Sequence, residues 1–389
     1  MSKLRVLIAL QYYLPHRTGL TLHVQRLAEG LAGRGHEVTV LCARHDQSTP
    51  RDEEWVGGVR IVRLWAPIQV TRGTIMPAYP WAAFQLVRQH DVVSIHTPML
   101  ETPVFSVYTK LLRRGLVVTH HGDLNLPSGW FSKFVQETTY GIHRVFAGAA
   151  QRFIAYSQDY LDYSRWLRPF KDRATPLYPP CVIPEPNPRR VAELRAEWLS
   201  KTPPEQRERA LLVGYAGRFV QEKRPDVLIR AMDTIRERFP GSVAVFSGRY
   251  DLAYEQTYRD NKPLIDERQD ALHFLGLLQD PQAMADFYAA CDVLALPSDS
   301  ECFALVQVEA MLCGTPVVAS DIPGAREVVR VTGMGQLAPA GDFQAHAEAL
   351  CEVGGNPERY VKTREQIAGI FSLDKTLDGY EDQFRAAIG

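Results

Sequence analysis

The sequence predicts a two-domain α/β chain built on parallel sheets covered by helices, and three observations predict it. At 389 residues, the chain exceeds one ordinary core and suits two domains of roughly 150–200 residues each. Strand-like and helix-like segments alternate from end to end, the pattern of parallel strands joined by crossover helices. Six prolines fall within the thirteen residues from Pro176 to Pro188 and interrupt that alternation once.

In the first half the apolar strand candidates are Arg5–Leu10, Glu37–Cys42, Val59–Leu64, Asp91–Ile95, Leu116–Thr119 and Phe153–Tyr156. Helix-length segments such as Leu20–Gly33 and Pro103–Arg113 separate most of them. A second series has strands near Ala210–Tyr215, Val243–Phe246, Leu272–Leu275, Val293–Leu296 and Val317–Ala319. The run Val293-Leu294-Ala295-Leu296 has no polar alternation, which fits a strand buried on both faces. The proline-rich segment can continue neither a helix nor a central strand. It reads as a stiff linker over 181–188, about which domains of 1–180 and 189–370 hinge. The tail, Phe371 to Ile388, reads as one amphipathic helix.

The chain is 46% hydrophobic and 23% charged, the profile of a soluble globular protein. No apolar run reaches the roughly 18–20 residues of a membrane span. The start leads straight into a strand without a signal-peptide pattern. Six scattered cysteines form no Cys-x-x-Cys pair, so they read as reduced thiols of a cytoplasmic protein, not as a disulfide framework or zinc site. Charge is uneven: residues 1–188 hold 21 Lys+Arg against 14 Asp+Glu, and the remainder 23 against 31. A basic first half suits an anionic acceptor or peripheral contact with an anionic membrane at its inner face. No nucleic-acid partner is expected.

The most informative segment runs from Pro297 to Ser320, Pro-Ser-Asp-Ser-Glu-Cys-Phe-Ala-Leu-Val-Gln-Val-Glu-Ala-Met-Leu-Cys-Gly-Thr-Pro-Val-Val-Ala-Ser. A buried strand ends at Pro297, a loop carries Glu301, and a helix begins near Ala304 and carries Glu309. Unpaired N–H groups at such a helix start favour an anionic or hydroxyl-rich ligand, and ligands of open parallel sheets bind at the carboxyl ends of strands. The plainer alternative is an acidic turn capped by Ser300 or Glu301, with Glu309 on a solvated face. A second segment, Gly217-Arg218-Phe219-Val220-Gln221-Glu222-Lys223-Arg224-Pro225, lies between a strand and the helix Pro225–Arg238. Gly217 permits a tight turn, Arg218 offers a planar fork of donors and Lys223 a point charge, together a clamp for a diphosphate.

The 297–320 string resembles the Glu-x7-Glu signature of glycosyltransferase family 4, a retaining family. The resemblance implies the GT-B fold, two Rossmann-like domains with parallel sheets facing across a cleft, and a C-terminal helix, 371–389, packed back on the first domain. It implies that Glu301 contacts hydroxyls of the donor sugar and that Glu309 holds the ribose. The Gly-Arg-x4-Lys of Gly217, Arg218 and Lys223, about 80 residues ahead of Glu301, is similar to the family's phosphate-binding segment. Gly248, after Ser247, matches a glycine turn facing the nucleotide, and Gly276 with Leu277 matches backbone contacts to the base. The family usually reads Glu-Gly-Phe-Gly-Leu where this chain has Glu301, Cys302, Phe303, Ala304 and Leu305. Both replacements add a Cβ where backbone amides approach the sugar and diphosphate, so a tightened site is expected.

On the acceptor side the family commonly has Gly-Gly in its first loop, where this chain has Gly19-Leu20. Thr119 and His121 match the family's Thr-x-His, which implies that His121 lies beside the donor sugar. His120 and His121, adjacent in a strand, point to opposite faces and should not share a role, whereas His36 reads as structural. No third metal ligand lies at a usable spacing from this pair, so no metal or other cofactor is expected. The expected activity is metal-independent transfer of a hexose-type sugar from a nucleoside-diphosphate sugar to a glycan, lipid-linked or small-molecule acceptor. UDP is favoured because it is the commonest donor class. Two alternatives are a non-catalytic nucleotide-sugar-binding subunit and a sugar-nucleotide epimerase of the same architecture. A nicotinamide dehydrogenase is disfavoured because no strand–helix turn shows Gly-x-Gly-x-x-Gly.

Overall fold

The computed structural model describes residues 2–16, 18–45, 53–70, 73–97, 99, 101–123, 130–251 and 255–389. The chain divides into two compact units, Met1–Pro180 with Ser372–Gly389, and Cys181–Phe371. In the first unit the strands are β1 (Arg5–Tyr12), β2 (Glu37–Ala43), β3 (Glu54–Val56), β4 (Val59–Leu64), β5 (Ile68–Val70), β6 (Gly73–Ile75), β7 (Val92–Thr97), β8 (Gly115–His120), β9 (Arg152–Ala155) and β10 (Ala174–Pro176). An eight-stranded sheet runs β10-β9-β8-β7-β1-β2-β4-β3. Its pairings are parallel except at the edge, where β3 runs antiparallel to β4. β5 and β6 form a separate antiparallel hairpin.

The second unit contains β11 (Leu212–Ala216), β12 (Val243–Ser247), β13 (Leu272–Gly276), β14 (Val293–Leu296), β15 (Val317–Ser320) and β16 (Gly335–Ala338). All are parallel, in the order β13-β12-β11-β14-β15-β16. Relabelled from the first strand, that order is 3-2-1-4-5-6, the doubly wound arrangement whose ligand crevice opens where the winding reverses. Here the reversal falls between β11 and β14. In the first unit it falls between β1 and β7. In open parallel sheets such reversals are where ligand crevices form.

Local chemistry sets the helix ends. Thr18 and Thr21 form a reciprocal capping box ahead of the helix Gly19–Gly33, and the Asn187 side chain accepts from the amides of Arg189 and Arg190 to start Pro188–Trp198. The residues just before that helix are pinned within the second unit. The Asn187 amide donates to Asp286 at 2.7 Å, and Gln282 donates to the Glu185 carbonyl at 2.9 Å. The last helix spans Leu373–Ile388, capped by Ser372, and packs on the first unit. It starts later than its sequence pattern predicts, because Phe371 remains in the second unit with its ring edge-on to Phe303 at 5.8 Å. Leu377, Tyr380 and Phe384 of this helix are buried with Val6, Ile8, Val24 and Leu27, each worth about 1.5–3 kcal/mol relative to exposure. Among the described residues, no helix is long and apolar enough to cross a membrane.

Candidate functional site

In the second unit the loops after β11, β12 and β13 are tied together by their backbones. Gly217 N–H donates to the Ser247 carbonyl at 2.9 Å, and Gly248 N–H donates to the Gly276 carbonyl at 2.8 Å. Gly248 has φ +143°, and a Cβ there would lie 1.9 Å from the Gly217 oxygen. Only glycine fits. Gly276, at φ +75°, borders open space, and Leu277 beyond it is 48% exposed.

A short 3-10 turn, Gln221–Lys223, then carries the chain to the helix Pro225–Arg238. The Asp299 amide donates to the Glu222 carbonyl at 2.9 Å, which holds this turn against the loop after β14. The contact brings together residues 78 positions apart: Lys223 Nζ donates to Glu301 Oε1 at 2.6 Å. The same carboxylate oxygen accepts from the Ser298 hydroxyl at 2.9 Å. Side-chain exposure is 22% for Lys223 and 9% for Glu301. Arg218 is more open and donates to Glu222 at 3.1 Å. The two cations expected to clamp a diphosphate are each engaged here in an ion pair, one of the pairs largely screened from water.

The helix carrying the second glutamate spans Leu305–Leu312, and its N-cap is Ala304, with φ 59° and ψ 73° and no side-chain cap. Neither Ser300 nor Glu301 caps the helix, so its first N–H groups remain available to a ligand. The left-handed backbone at Ala304 explains why glycine is the easier residue there. Phe303 is buried and Cys302 half-buried. Gly324 supports the loop from behind, since a Cβ on it would lie 2.5 Å from the Glu301 carbonyl oxygen. Glu309 accepts from the hydroxyl of buried Tyr288 at 3.1 Å. Burial, and then this carboxylate, keep the Tyr288 phenol protonated well above its usual range.

In the first unit, His120 and His121 do part company. His120 bonds Asp123 at 2.8 Å and Thr97 at 3.1 Å and stacks on Trp166 with centroids 4.7 Å apart. His121 turns instead toward His96 of β7 and His23 of the first helix. Its Nε2 lies 2.7 Å from His96 Nδ1, and its Nδ1 meets the Tyr156 hydroxyl in a very short contact. His23 Nε2 lies 3.1 Å from the Tyr380 hydroxyl, which in turn reaches Thr119 at 3.2 Å. Burial holds all three imidazoles below the usual histidine range, His96 at about 3. Gly19 opens the first helix, and nothing crowds the position of its absent Cβ. His36 is structural: its Nδ1 accepts from the Leu4 amide at 3.1 Å.

Comparison with known proteins places these features. A profile described as "Glycosyl transferases group 1" matches residues 196–368, and one described as "Glycosyl transferase 4-like domain" matches residues 18–180. The chain belongs to the family 4 type of group 1 glycosyltransferases. It is 37% identical over 189 residues to a D-inositol 3-phosphate glycosyltransferase of Saccharomonospora viridis, covering 46% of this chain and 43% of that one. It is 32% identical over 191 residues to the protein of the same name from Rhodococcus erythropolis, covering 46% and 41%. The chain thus spans less than half the length of these curated relatives. Among solved structures, Anabaena HepE in complex with UDP superimposes with TM-score 0.75 at 21% identity, over 98% of this chain and 100% of that one. Sucrose-phosphate synthase from Thermosynechococcus elongatus gives 0.75 at 22% identity over 98% of both chains. These likenesses establish the GT-B fold.

Within this group 1 glycosyltransferase, the loops of the second unit bring Gly217, Lys223 and Glu301 to the sheet's winding reversal, and Gly248 and Gly276 are linked to Gly217 through the successive loop contacts. Arg218 stands more open and Glu309 sits deeper, on its helix. Sequence reasoning missed Ser298, Tyr288 and Gly324. Ser298 lay inside the informative string and Gly324 directly before a helix, but their partners are distant in sequence. It also missed His23 and His96. Two partners that spacing from His120-His121 did not offer come from a helix and another strand: His23, His96 and His121 each present a nitrogen, all within 4.8 Å of one another.

Proposed function

We propose that the chain is a retaining glycosyltransferase that moves a hexose-type sugar from a nucleoside-diphosphate sugar, UDP favoured, to an acceptor hydroxyl. The observation that carries this reading is the Lys223–Glu301 contact beside an uncapped helix start at the winding reversal of the second sheet. Cleaving a glycosyl–phosphate bond develops negative charge on the departing diphosphate. Lys223, Arg218 and the helix start before Leu305 supply fixed positive potential for it, the task a divalent ion performs elsewhere. Transfer therefore requires no metal on the diphosphate. Glu301 accepts from donor-sugar hydroxyls, Glu309 from the ribose, Gly217, Gly248, Gly276 and Leu277 line the nucleotide, and His121 positions the sugar. In the unliganded chain Lys223 and Glu301 neutralise each other. Donor binding exchanges that single contact for two, diphosphate on the lysine and sugar on the glutamate.

The UDP preference draws on HepE, solved with UDP. The relatives' name, with its inositol phosphate, and the basic first half both favour an anionic acceptor, free, lipid-linked or within a glycan. A peripheral contact with anionic lipid is tested by flotation with and without anionic liposomes. The main test is thermal stabilisation by UDP, GDP, ADP and NAD, each with and without EDTA, for the wild type and for Arg218→Ala/Lys223→Ala. Ligand at about 100 times its Kd should add roughly 2.7 kcal/mol. A shift with UDP that ignores EDTA and disappears in the double variant is expected. A shift with NAD alone, or one abolished by EDTA and restored by Mn²⁺, would sink the proposal.

A further inference from the structure

We propose that His23, His96 and His121 form a binding site for one divalent transition-metal ion of the zinc kind. The site includes His121, the residue proposed above to position the donor sugar, but its test does not depend on sugar transfer. Three imidazoles without a carboxylate or thiolate suit zinc, cobalt, nickel or copper, and not calcium or magnesium. One nitrogen from each ring lies within 4.8 Å of the others. Zinc at about 2.0–2.1 Å from each nitrogen needs ligand atoms roughly 3.3 Å apart. The 2.7 Å His96–His121 contact must therefore open by roughly half an ångström and the third ring close in by up to about 1.5 Å.

Two further observations point to an ion. The first is an orphan: His23 Nδ1 is buried and has no hydrogen-bond partner, a state that calls for an explanation. The second is the outer shell. The remaining nitrogen of every ring faces a neutral oxygen that can accept its proton: Tyr380 for His23, Ser94 at 3.4 Å for His96, and Tyr156 for His121. Metal-bound histidines are characteristically held in this way. With protons on those outer nitrogens, the lone pairs left for an ion are those on Nδ1 of His23, Nδ1 of His96 and Nε2 of His121. Without an ion, two lone pairs cannot face each other at 2.7 Å, so one of His96 and His121 must hold its proton inward. Binding moves that proton to the outer nitrogen of the same ring. Three histidines leave a fourth tetrahedral position open to water.

The test is a Co²⁺ titration of the full chain, without donor, followed by visible absorption, with Zn²⁺ as competitor. One ion per chain is expected, with the intense bands of a tetrahedral site, discharged by one equivalent of Zn²⁺. His23→Gln and His96→Gln should abolish the bands, and Tyr156→Phe should weaken binding about 10–100-fold. The double variant His16→Gln/His45→Gln, which removes a stacked histidine pair outside the cluster, should leave them unchanged. Weak octahedral bands, bands that survive in both ligand variants, or bands lost in the His16/His45 variant would overturn the site. If a ligand variant misfolds by circular dichroism, X-ray absorption on the zinc-loaded wild type decides: fewer than three imidazoles at about 2.0 Å refutes it. Because UDP stabilisation is measured separately, failure of one proposal is distinguishable from failure of the other.

Discussion

The Lys223–Glu301 pair makes a quantitative prediction. Its atoms are 2.6 Å apart, and Glu301 exposes 9% of its side chain. Unit charges at 4 Å attract by about 4 kcal/mol at an effective dielectric of 20. Desolvation and side-chain ordering reduce the net worth of such a charged hydrogen bond to about 1.5–3 kcal/mol. Lys223→Ala leaves the Ser298 hydroxyl to hold a shielded carboxylate, so it should cost about 2–3 kcal/mol. Glu301→Gln keeps an acceptor for both Lys223 and Ser298 and should cost about 1 kcal/mol. Once the lysine is gone, the same change removes a burden, so the double variant should be about as stable as Glu301→Gln alone. The coupling between the two changes should then be about 2–3 kcal/mol.

Because the chain has two units, a single bulk melting curve mixes their transitions. Hydrogen exchange of peptides covering β11 and β14 reads the second unit by itself. A coupling below about 0.5 kcal/mol would refute the reasoning and reduce the pair to a contact without energetic consequence. The pair also predicts opposite effects on two ligands. Glu301→Gln keeps the hydrogen bond but removes the charge that competes with the diphosphate for Lys223, so UDP alone should bind more tightly, while UDP-sugar loses the added contribution of its sugar. Weaker binding of both ligands would contradict the exchange of partners.

Gly248→Ala should cost about 3–5 kcal/mol, from overpacking against the Gly217 oxygen together with a disfavoured φ. Hydrogen exchange on the same peptides checks it, and a loss under about 1 kcal/mol would mean that the loop relaxes freely. Ala304→Gly removes left-handed strain of about 1–2 kcal/mol against an entropic cost of about 0.5–1 kcal/mol. It should therefore be neutral to mildly stabilising, and a clear destabilisation in urea would contradict the backbone reading. In the first unit, the two-pronged bond from Arg5 holds the Asp91 carboxyl below its usual range. A depressed carboxylate contributes stability that is full above its unfolded pKa of about 4 and is lost as pH falls through the lower folded value. Urea midpoints measured for the first unit from pH 6 down to pH 3 should fall more steeply in the wild type than in Arg5→Met, and parallel curves would refute the linkage.

Much of this architecture was legible because its signals are local. The run Val293–Leu296 is a strand with those bounds, and the helix Pro225–Arg238 begins at its proline, where a missing N–H costs nothing. The Gly217 and Glu301 loops could be paired because each carries its own cluster of residues suited to one ligand. The elements that escaped are those in which distant residues decide. β10 holds a proline and β16 a glycine, both poor strand formers, tolerated because each pairs along one edge of its sheet. Phe371 continues the pattern of the last helix, yet Phe303 keeps it in the other unit.

The histidine cluster shows the same limit at the level of chemistry. His23 reads as one position on an amphipathic helix, and His96 as one polar residue in the apolar strand β7. Each is more often a core residue than a ligand. Only the parallel order β8-β7-β1 brings them to His121, through the pairing of β7 with both β1 and β8. A winding reversal places the first helix and the ends of the strands on either side of it around one space, whatever side chains they carry. In the second unit that space gathers a lysine, a glutamate and uncapped amides, which suit a sugar diphosphate. In the first it gathers three imidazoles whose outer nitrogens each face a hydroxyl oxygen, the arrangement on which the proposed cation site rests. The fold fixes where ligands can bind, and the side chains at each reversal fix which ligand binds there.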